Sequence, residues 1–336
     1  MSSALTVLKP YLACYIFVLG LIVGSFLNVV SLRGLSGEDF VFSRSKCPKC
    51  SNQLAWYMNI PLLSYIFLRG KCAFCKTKIS VQYPIVELVC AVLFTLSYLK
   101  FDFSLNFALA LFVVCFGILF SITDFLQKVI IAPHTYILAI IGLIFSIINH
   151  NFLSCLLGGI IGFLFFEIIS FISKKLISVR AFGEGDSLIA LAFGCCFGYK
   201  KILLIIVLSF IIQVLFSLPI LIYQNFKVKK IKLAFSYLFI IFSLIAVILF
   251  NFKIRFLPIT FINIFPILIT LGLIYCLGNV INEIKSKKEE FEKLDSEVDL
   301  YDKSNPFNLF PFGPALVLAS IIILYFSTFF SNLISN

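Results

Sequence analysis

Charge is what this chain has least of. Only 13% of its 336 residues are Asp, Glu, Lys or Arg, about half the share that a water-facing surface carries. Hydrophobic residues make up 61% of the positions, 41 of them Phe, and the mean hydropathy is +1.08. One soluble core cannot hide that much apolar surface, so an ordinary soluble fold, a disordered chain and a disulfide-stapled secreted module are excluded. Histidine is nearly absent too. His134 and His150 are the only two, which argues against a His-dependent hydrolase or a histidine metal centre; His134, beside Pro133, reads as a helix-start residue. No Gly-x-Ser-x-Gly, His-Glu-x-x-His or Gly-rich nucleotide loop occurs.

What the chain does have is apolar runs, at roughly 11–30, 79–99, 104–123, 131–149, 152–172, 187–199, 202–223, 233–251, 256–280 and 313–333. Most are long enough to cross ~30 Å of hydrocarbon. The expected fold is an all-α polytopic membrane bundle of about 8–10 transmembrane helices carrying a small zinc-stapled cytoplasmic loop domain. The net charge of +11 is then a topology signal and not a sign of nucleic acid. Residues 31–78 hold Arg33, Arg44, Lys46, Lys49, Arg69, Lys71, Lys76 and Lys78 against Glu38 and Asp39, which places that loop in the cytoplasm. Alternation puts both termini outside, in agreement with Lys128, with Lys174, Lys175 and Arg180, and with Lys227, Lys229, Lys230 and Lys232. Four residues run against the rule: Lys200, Lys201, Lys253 and Arg255. The run 187–199 is short and Gly-rich, as a half-span or bent helix would be.

This gives a first span over 1–30, retained and not cleaved as a signal peptide, and a four-cysteine cytoplasmic loop over 31–78. A catalytic transmembrane bundle follows over 79–223, then extra membrane segments with a charged cytoplasmic stretch over 224–305, and a last span over 306–336. The charged part, 283–303, reads as a solvated helix or linker. Gly20 and Gly24, Gly158 and Gly162, and Gly194 and Gly198 are each four apart, a spacing that lets helix backbones approach within one bundle.

Eleven cysteines fall into two groups. Seven lie in apolar runs, where a thiol is a small hydrophobe. Cys47, Cys50, Cys72 and Cys75 form two Cys-x2-Cys pairs in the polar loop, the spacing of a closed site of four thiolates, with zinc the default metal. Two disulfides, an iron–sulfur cluster and no ligation are the alternatives, the first disfavoured by a reducing compartment.

Acids in apolar runs are few, and each costs several kcal/mol unless it is used. They are Glu87, Asp124, Glu167, Glu184 and Asp186. Asp124 ends the third span, and Asp186 closes Gly183-Glu184-Gly185-Asp186 at the start of the sixth, so both reach the same depth on the same side. Two adjacent carboxylates sharing one proton make an aspartic protease. On spacing alone, ordinary interfacial anchors are the leading reading, with a proton or ion relay, as in a transporter, and a non-enzymatic scaffold as further alternatives. Glu87 and Glu167 read as structural or supporting residues.

With those residues in view, the sequence resembles the type IV prepilin peptidases, membrane aspartic proteases of the GxGD type. The likeness runs through Gly24-Ser25-Phe26-Leu27-Asn28-Val29-Val30 with Arg33, Cys47-Pro48-Lys49-Cys50, Asn59-Ile60-Pro61-Leu62-Leu63-Ser64-Tyr65, Arg69-Gly70-Lys71-Cys72-Ala73-Phe74-Cys75, Ile79-Ser80 and Tyr83-Pro84-Ile85-Val86-Glu87-Leu88. Gly183-Glu184-Gly185-Asp186 resembles the family's second aspartate motif, and Pro311-Phe312-Gly313-Pro314 the motif opening its last span. The resemblance implies catalytic Asp124 and Asp186, supported by Gly183, Glu184 and Gly185. It implies substrates that are prepilins of type IV pili or pseudopilins of type II secretion. Their short basic leaders would be cut on the cytoplasmic side of a bacterial inner membrane, after a Gly and typically before Phe. In many members S-adenosylmethionine then methylates the new N-terminus. Three features depart from the family: Pro133 follows Asp124 by nine positions and not about seven, Ser187-Leu188 stand where a Lys is common, and 225–305 is longer than usual.

Overall fold

The structure is a computed structural model, and it describes residues 2–36, 45–177, 180–227 and 311–335. The expected runs at 233–251 and 256–280 and the charged stretch 283–303 lie outside the described residues. The chain divides into two compact units, one of Met1–Ile172, Arg180–Phe210 and Pro311–Asn336, the other of Ser173–Val179 and Ile211–Phe310. The side-chain contacts and the site described below belong to the first.

Among the described residues every extended element is helical. The chain runs through α1 (Ser2–Ser36), a 3₁₀ turn (Trp56–Asn59), α2 (Leu63–Phe67), α3 (Gln82–Phe101), α4 (Leu105–Gln127), α5 (Ala132–Ile148), α6 (Phe152–Ile177), α7 (Glu184–Phe197), α8 (Tyr199–Lys227) and α9 (Gly313–Ser335). Five stretches are long and apolar enough to cross a membrane: Leu8–Gly34, Gln82–Phe101, Leu105–Gln127, Phe152–Lys175 and Tyr199–Ser217. Ala132–Ile148 and Gly313–Phe326 are shorter apolar helices. The protein is thus a multi-pass membrane protein. Its exposed side chains follow: Tyr11, Tyr15, Val18, Ile22 and Phe26 make an outward apolar stripe on α1, the reverse of a soluble amphipathic helix.

Helix limits follow from local chemistry. The Ser104 hydroxyl caps α4 by accepting from the Phe107 N–H at 3.3 Å. The other end of α4 closes at Lys128, left-handed at φ 56°, whose N–H donates to the Asp124 carbonyl at 2.9 Å. Pro133 lies in the first turn of α5, where its missing N–H costs nothing, and His134 follows it as expected. The expectation of a short sixth element holds. With 14 residues, α7 reaches only about 21 Å, less than a bilayer core.

Two close helix contacts organise the bundle. α1 packs along α3, where Gly24 meets the Glu87 main chain, and α6 packs on α7 through Gly158 and Gly194. A methyl group added at Gly158 would come within 2.5 Å of the Gly194 carbonyl. Beside these contacts Leu27, Cys90, Phe94, Tyr98, Val114 and Ile118 fill the space between α1, α3 and α4. Several buried hydroxyls are satisfied within their own helices, as where Ser31 donates to the Leu27 carbonyl at 2.7 Å and Ser320 to Leu316 at 2.8 Å. α9 breaks at Phe326 (φ −116°, ψ 20°). The carbonyls of Leu324 and Tyr325 beside the break accept from Lys100 Nζ at 2.8 and 2.6 Å, which meets the hydrogen-bonding need of backbone at membrane depth.

Gly194→Ala forces a methyl group into the main chain of α6 and is expected to lower stability by roughly 1–3 kcal/mol, read as a fall in the melting temperature of the detergent-solubilised protein. Ile144→Ala, at a half-exposed site, is expected to change it by less than about 0.5 kcal/mol.

Candidate active site

Asp124 occupies the last turn of α4 and is only 6% exposed, although the residues after it face outward. Its Oδ2 accepts from the Gly313 main-chain N–H at 2.9 Å, a bond across 189 residues that ties the end of α4 to the start of α9. Gly313 is required there, because a Cβ would fall on the Asp124 carboxylate and against Ile189 of α7. That triple contact brings α4, α7 and α9 to one point.

Asp186 lies in the first turn of α7, three residues after the N-cap Gly183, whose N–H donates to Asp186 Oδ2 at 3.2 Å. A carboxylate at a helix N-terminus is favoured by the dipole and by the unpaired N–H groups. Gly185 allows α7 to close on the loop after α4, since a Cβ there would stand 2.7 Å from the Ile130 side chain. Asp186 is within electrostatic reach of Asp124. Each acid thus has one oxygen held by a main-chain N–H from a different turn of the fold.

The loop before Asp186 is braced from α6. Glu167 receives both the Ser187 hydroxyl, at 2.8 Å, and the Arg180 guanidinium, whose Nη2 donates to its two oxygens at 3.0 and 3.1 Å. Arg180 also reaches Glu184 at 2.7 Å, but the Glu184 side chain is 80% exposed, so of the sequence's candidates it stands at the mouth while Gly183 and Gly185 shape the backbone. Beneath this loop Phe166, Phe182, Phe210 and Phe312 form one aromatic cluster, with Phe182 5.0 Å from Phe166 and 5.1 Å from Phe312 between ring centroids. Phe182 precedes the Asp186 turn and Phe312 precedes Gly313. One cluster therefore sets the height of both carboxylates' partners.

Arg180, Ser187 and Phe182 were not legible as site residues. Arg180 looks like an ordinary cytoplasmic charge, and nothing in the spacing pairs it with Glu167. Pro311-Phe312-Gly313-Pro314 did carry a signal, through its resemblance to a family motif that opens the last span, but not its partner.

The four loop cysteines converge as expected. They are free, and their sulfurs all lie within 4.8 Å of one another. The loop is built from two matching knuckles 25 positions apart. Lys46 pairs with Gln53 and Lys71 with Lys78 in antiparallel bridges, Ser51 and Lys76 take φ 56° and 59°, and their N–H groups donate to the carbonyls of Cys47 and Cys72 at 2.9 and 3.0 Å. Cys47 and Cys75 stand 3.8 Å apart, sulfur to sulfur. That is far beyond a disulfide bond and matches the ~3.8 Å edge of a tetrahedron with ~2.3 Å metal–sulfur bonds. Hydrogen bonds from Thr77, its hydroxyl first, lower the Cys75 thiol toward the thiolate, the form that binds metal. The donor set fits zinc. Glu87 moors this module to the bundle: from α3 its carboxylate bonds Ser25 of α1 and accepts from the Leu62 N–H at 2.7 Å, holding Leu62 at φ 62°.

Glu167→Gln keeps the shape of the brace and removes its charge. With the carboxyl pair acting on a peptide bond, as the sequence resemblance implies, it is expected to slow that cleavage by roughly tenfold or more through a fall in kcat with KM little changed, measured on a synthetic substrate in detergent. Purified protein is expected to carry about one zinc per chain by metal analysis and to lose it in Cys47→Ser; equal metal in both would contradict the assignment.

Residues 18–101 match the model of the bacterial peptidase A24 N-terminal domain, and residues 110–218 match that of the type IV leader peptidase family. The prepilin leader peptidase/N-methyltransferase of Myxococcus xanthus is 36% identical over 196 residues, which span 58% of this chain and 58% of that protein. Proteins of the same name from Neisseria gonorrhoeae and Vibrio cholerae are 32% and 33% identical, over 62% and 58% of this chain and 82% and 81% of their own lengths. No solved structure matches. The matched stretches include the thiol loop and the two helix ends that carry the acids, and the chain belongs to the type IV leader peptidase family.

Proposed function

We propose that the protein is an intramembrane aspartic endopeptidase that removes the short basic leader of type IV prepilins or type II secretion pseudopilins. What supports this reading best is that Asp124 of α4 and Asp186 of α7, within electrostatic reach of each other, each have one oxygen held by a main-chain N–H, with Gly313 closing over Asp124. The catalytic bundle is 79–223 closed by the last span at 306–336, and 31–78 is the metal module.

The chemistry needs both acids. One carboxylate takes a proton from a water, whose oxygen bonds to the scissile carbonyl carbon, while the protonated partner donates to the carbonyl oxygen. The tetrahedral species then collapses: the C–N bond breaks and the leaving amine takes a proton. The main-chain donors on Asp124 and Asp186 fix one oxygen of each acid, leaving the other to face water and substrate. Backbone freed of side chains at Gly183 and Gly185 lets an extended peptide approach.

The substrate's apolar helix lies in the bilayer and its basic leader in the cytoplasm of a bacterial cell, with the protein in the inner membrane. The excess of Lys and Arg in 31–78 supports that orientation. Glu184 at the mouth and the two aspartates attract a cationic leader. Zinc bound by Cys47, Cys50, Cys72 and Cys75 would lock the two knuckles together with no open coordination position, so its role is structural. The relatives are named as N-methyltransferases as well, and the proposal extends to transfer of a methyl group from S-adenosylmethionine to the new N-terminus.

Asp124→Asn and Asp186→Asn are each expected to reduce leader cleavage by roughly 10³-fold or more while the protein still inserts and binds zinc. The assay is the mobility shift of a prepilin co-expressed with each variant. Cleavage near the normal rate in either variant would overturn the proposal.

A further inference from the structure

Lys200 and Lys201 run against the positive-inside pattern, and the fold places both at one cleft. Both line a cleft of about 700 Å³ at the end of the bundle away from the aspartates. Asn106, also in its wall, sits 18 residues before Asp124 on α4, about 27 Å along the helix. The cleft is therefore separate from the candidate active site.

Its lining is of two kinds. Asn106, Asn149 and Asn151 supply amide donors beside the two ammonium groups, while Phe145, Phe197 and Ile323 form an apolar wall. Neither lysine has an acidic partner among the described residues. Asp102, an acid at the C-terminal end of α3, is bonded to Lys9 at 2.8 Å. Lys100, bound to the α9 carbonyls, is within electrostatic reach of Lys201 and adds a third positive charge. Like charges gathered beside hydrogen-bond donors, with no counter-charge, repel one another unless an anion joins them. An apolar wall at the membrane edge selects an anion that carries a hydrocarbon chain.

We propose that this cleft binds an anionic phospholipid, with the phosphate of its headgroup between Lys200 and Lys201 and an acyl chain along Phe145 and Ile323. The site is independent of leader cleavage and holds whatever the chain's substrate.

Native mass spectrometry of the full chain in detergent tests it, with phosphatidylglycerol and phosphatidylcholine as competing probes. Wild-type protein is expected to retain phosphatidylglycerol in preference. The double variant Lys200→Gln/Lys201→Gln is expected to lose that preference by roughly tenfold, with its melting temperature in lipid-free detergent unchanged. An undiminished preference in the double variant would overturn the site. A second arm adds inorganic phosphate: if it displaces phosphatidylglycerol at equal concentration, the cleft is a soluble-phosphate site and the lipid proposal fails. Should the double variant be unstable, Lys201→Arg is expected to keep the preference and Asn149→Leu to weaken it; the opposite order would overturn the proposal as well.

Discussion

A carboxylate at the end of an apolar helix persists only where its surroundings give it hydrogen bonds that lipid cannot. For Asp124 that need is met by the Gly313 N–H, and much of the fold can be read as the means of delivering this donor. α9 must start at the right height, and Phe312 seats it in the cluster with Phe166, Phe182 and Phe210. No side chain can stand at 313, since it would displace the carboxylate. The same cluster holds Phe182 and so the turn that carries Asp186. Donors for the two acids are thereby set by one packed group.

Around this point the chain divides its labour. α6 and α7 meet through glycines, which gives the short α7 a firm seat despite its 14 residues. Glu167 and Arg180 then brace the turn from outside, through an ion pair whose partners are each about one-third exposed. Surface pairs of this kind add little stability, and this one is better understood as fixing where Ser187, and with it Asp186, points. On the other flank, Glu87 carries the same logic to the thiol module: a buried carboxylate accepts from Leu62, in a strained conformation, and so fastens a loop that has little core of its own.

Much of this was legible in the residues. Periodic apolar runs fixed the helical class, and the four loop cysteines and two aspartates stood out because thiol pairs and membrane-depth acids are costly or conspicuous wherever they occur. The partners were not legible. A main-chain N–H has no sequence signature, so Gly313 could be read as part of a motif opening the last span but not as the donor to a residue 189 positions away. Arg180 and Glu167 are separated by 13 residues and a turn of irregular backbone, a spacing that no helical or strand period links. The doubling of the knuckles at an offset of 25 lies in backbone dihedrals and bridges, and only its cysteines are visible in the letters. Lys200 and Lys201 were visible as exceptions to a rule, and their reason lay in the cleft.

The central claim is that Asp124 and Asp186 work as one unit, sharing a proton across a single water. A double-mutant cycle measures this directly, with cleavage rates for Asp124→Asn, Asp186→Asn and the two together. If the acids form one unit, the double variant is no slower than the slower single variant, because the first substitution already removes the shared function. Losses that multiply would mean two separate roles and would contradict the account.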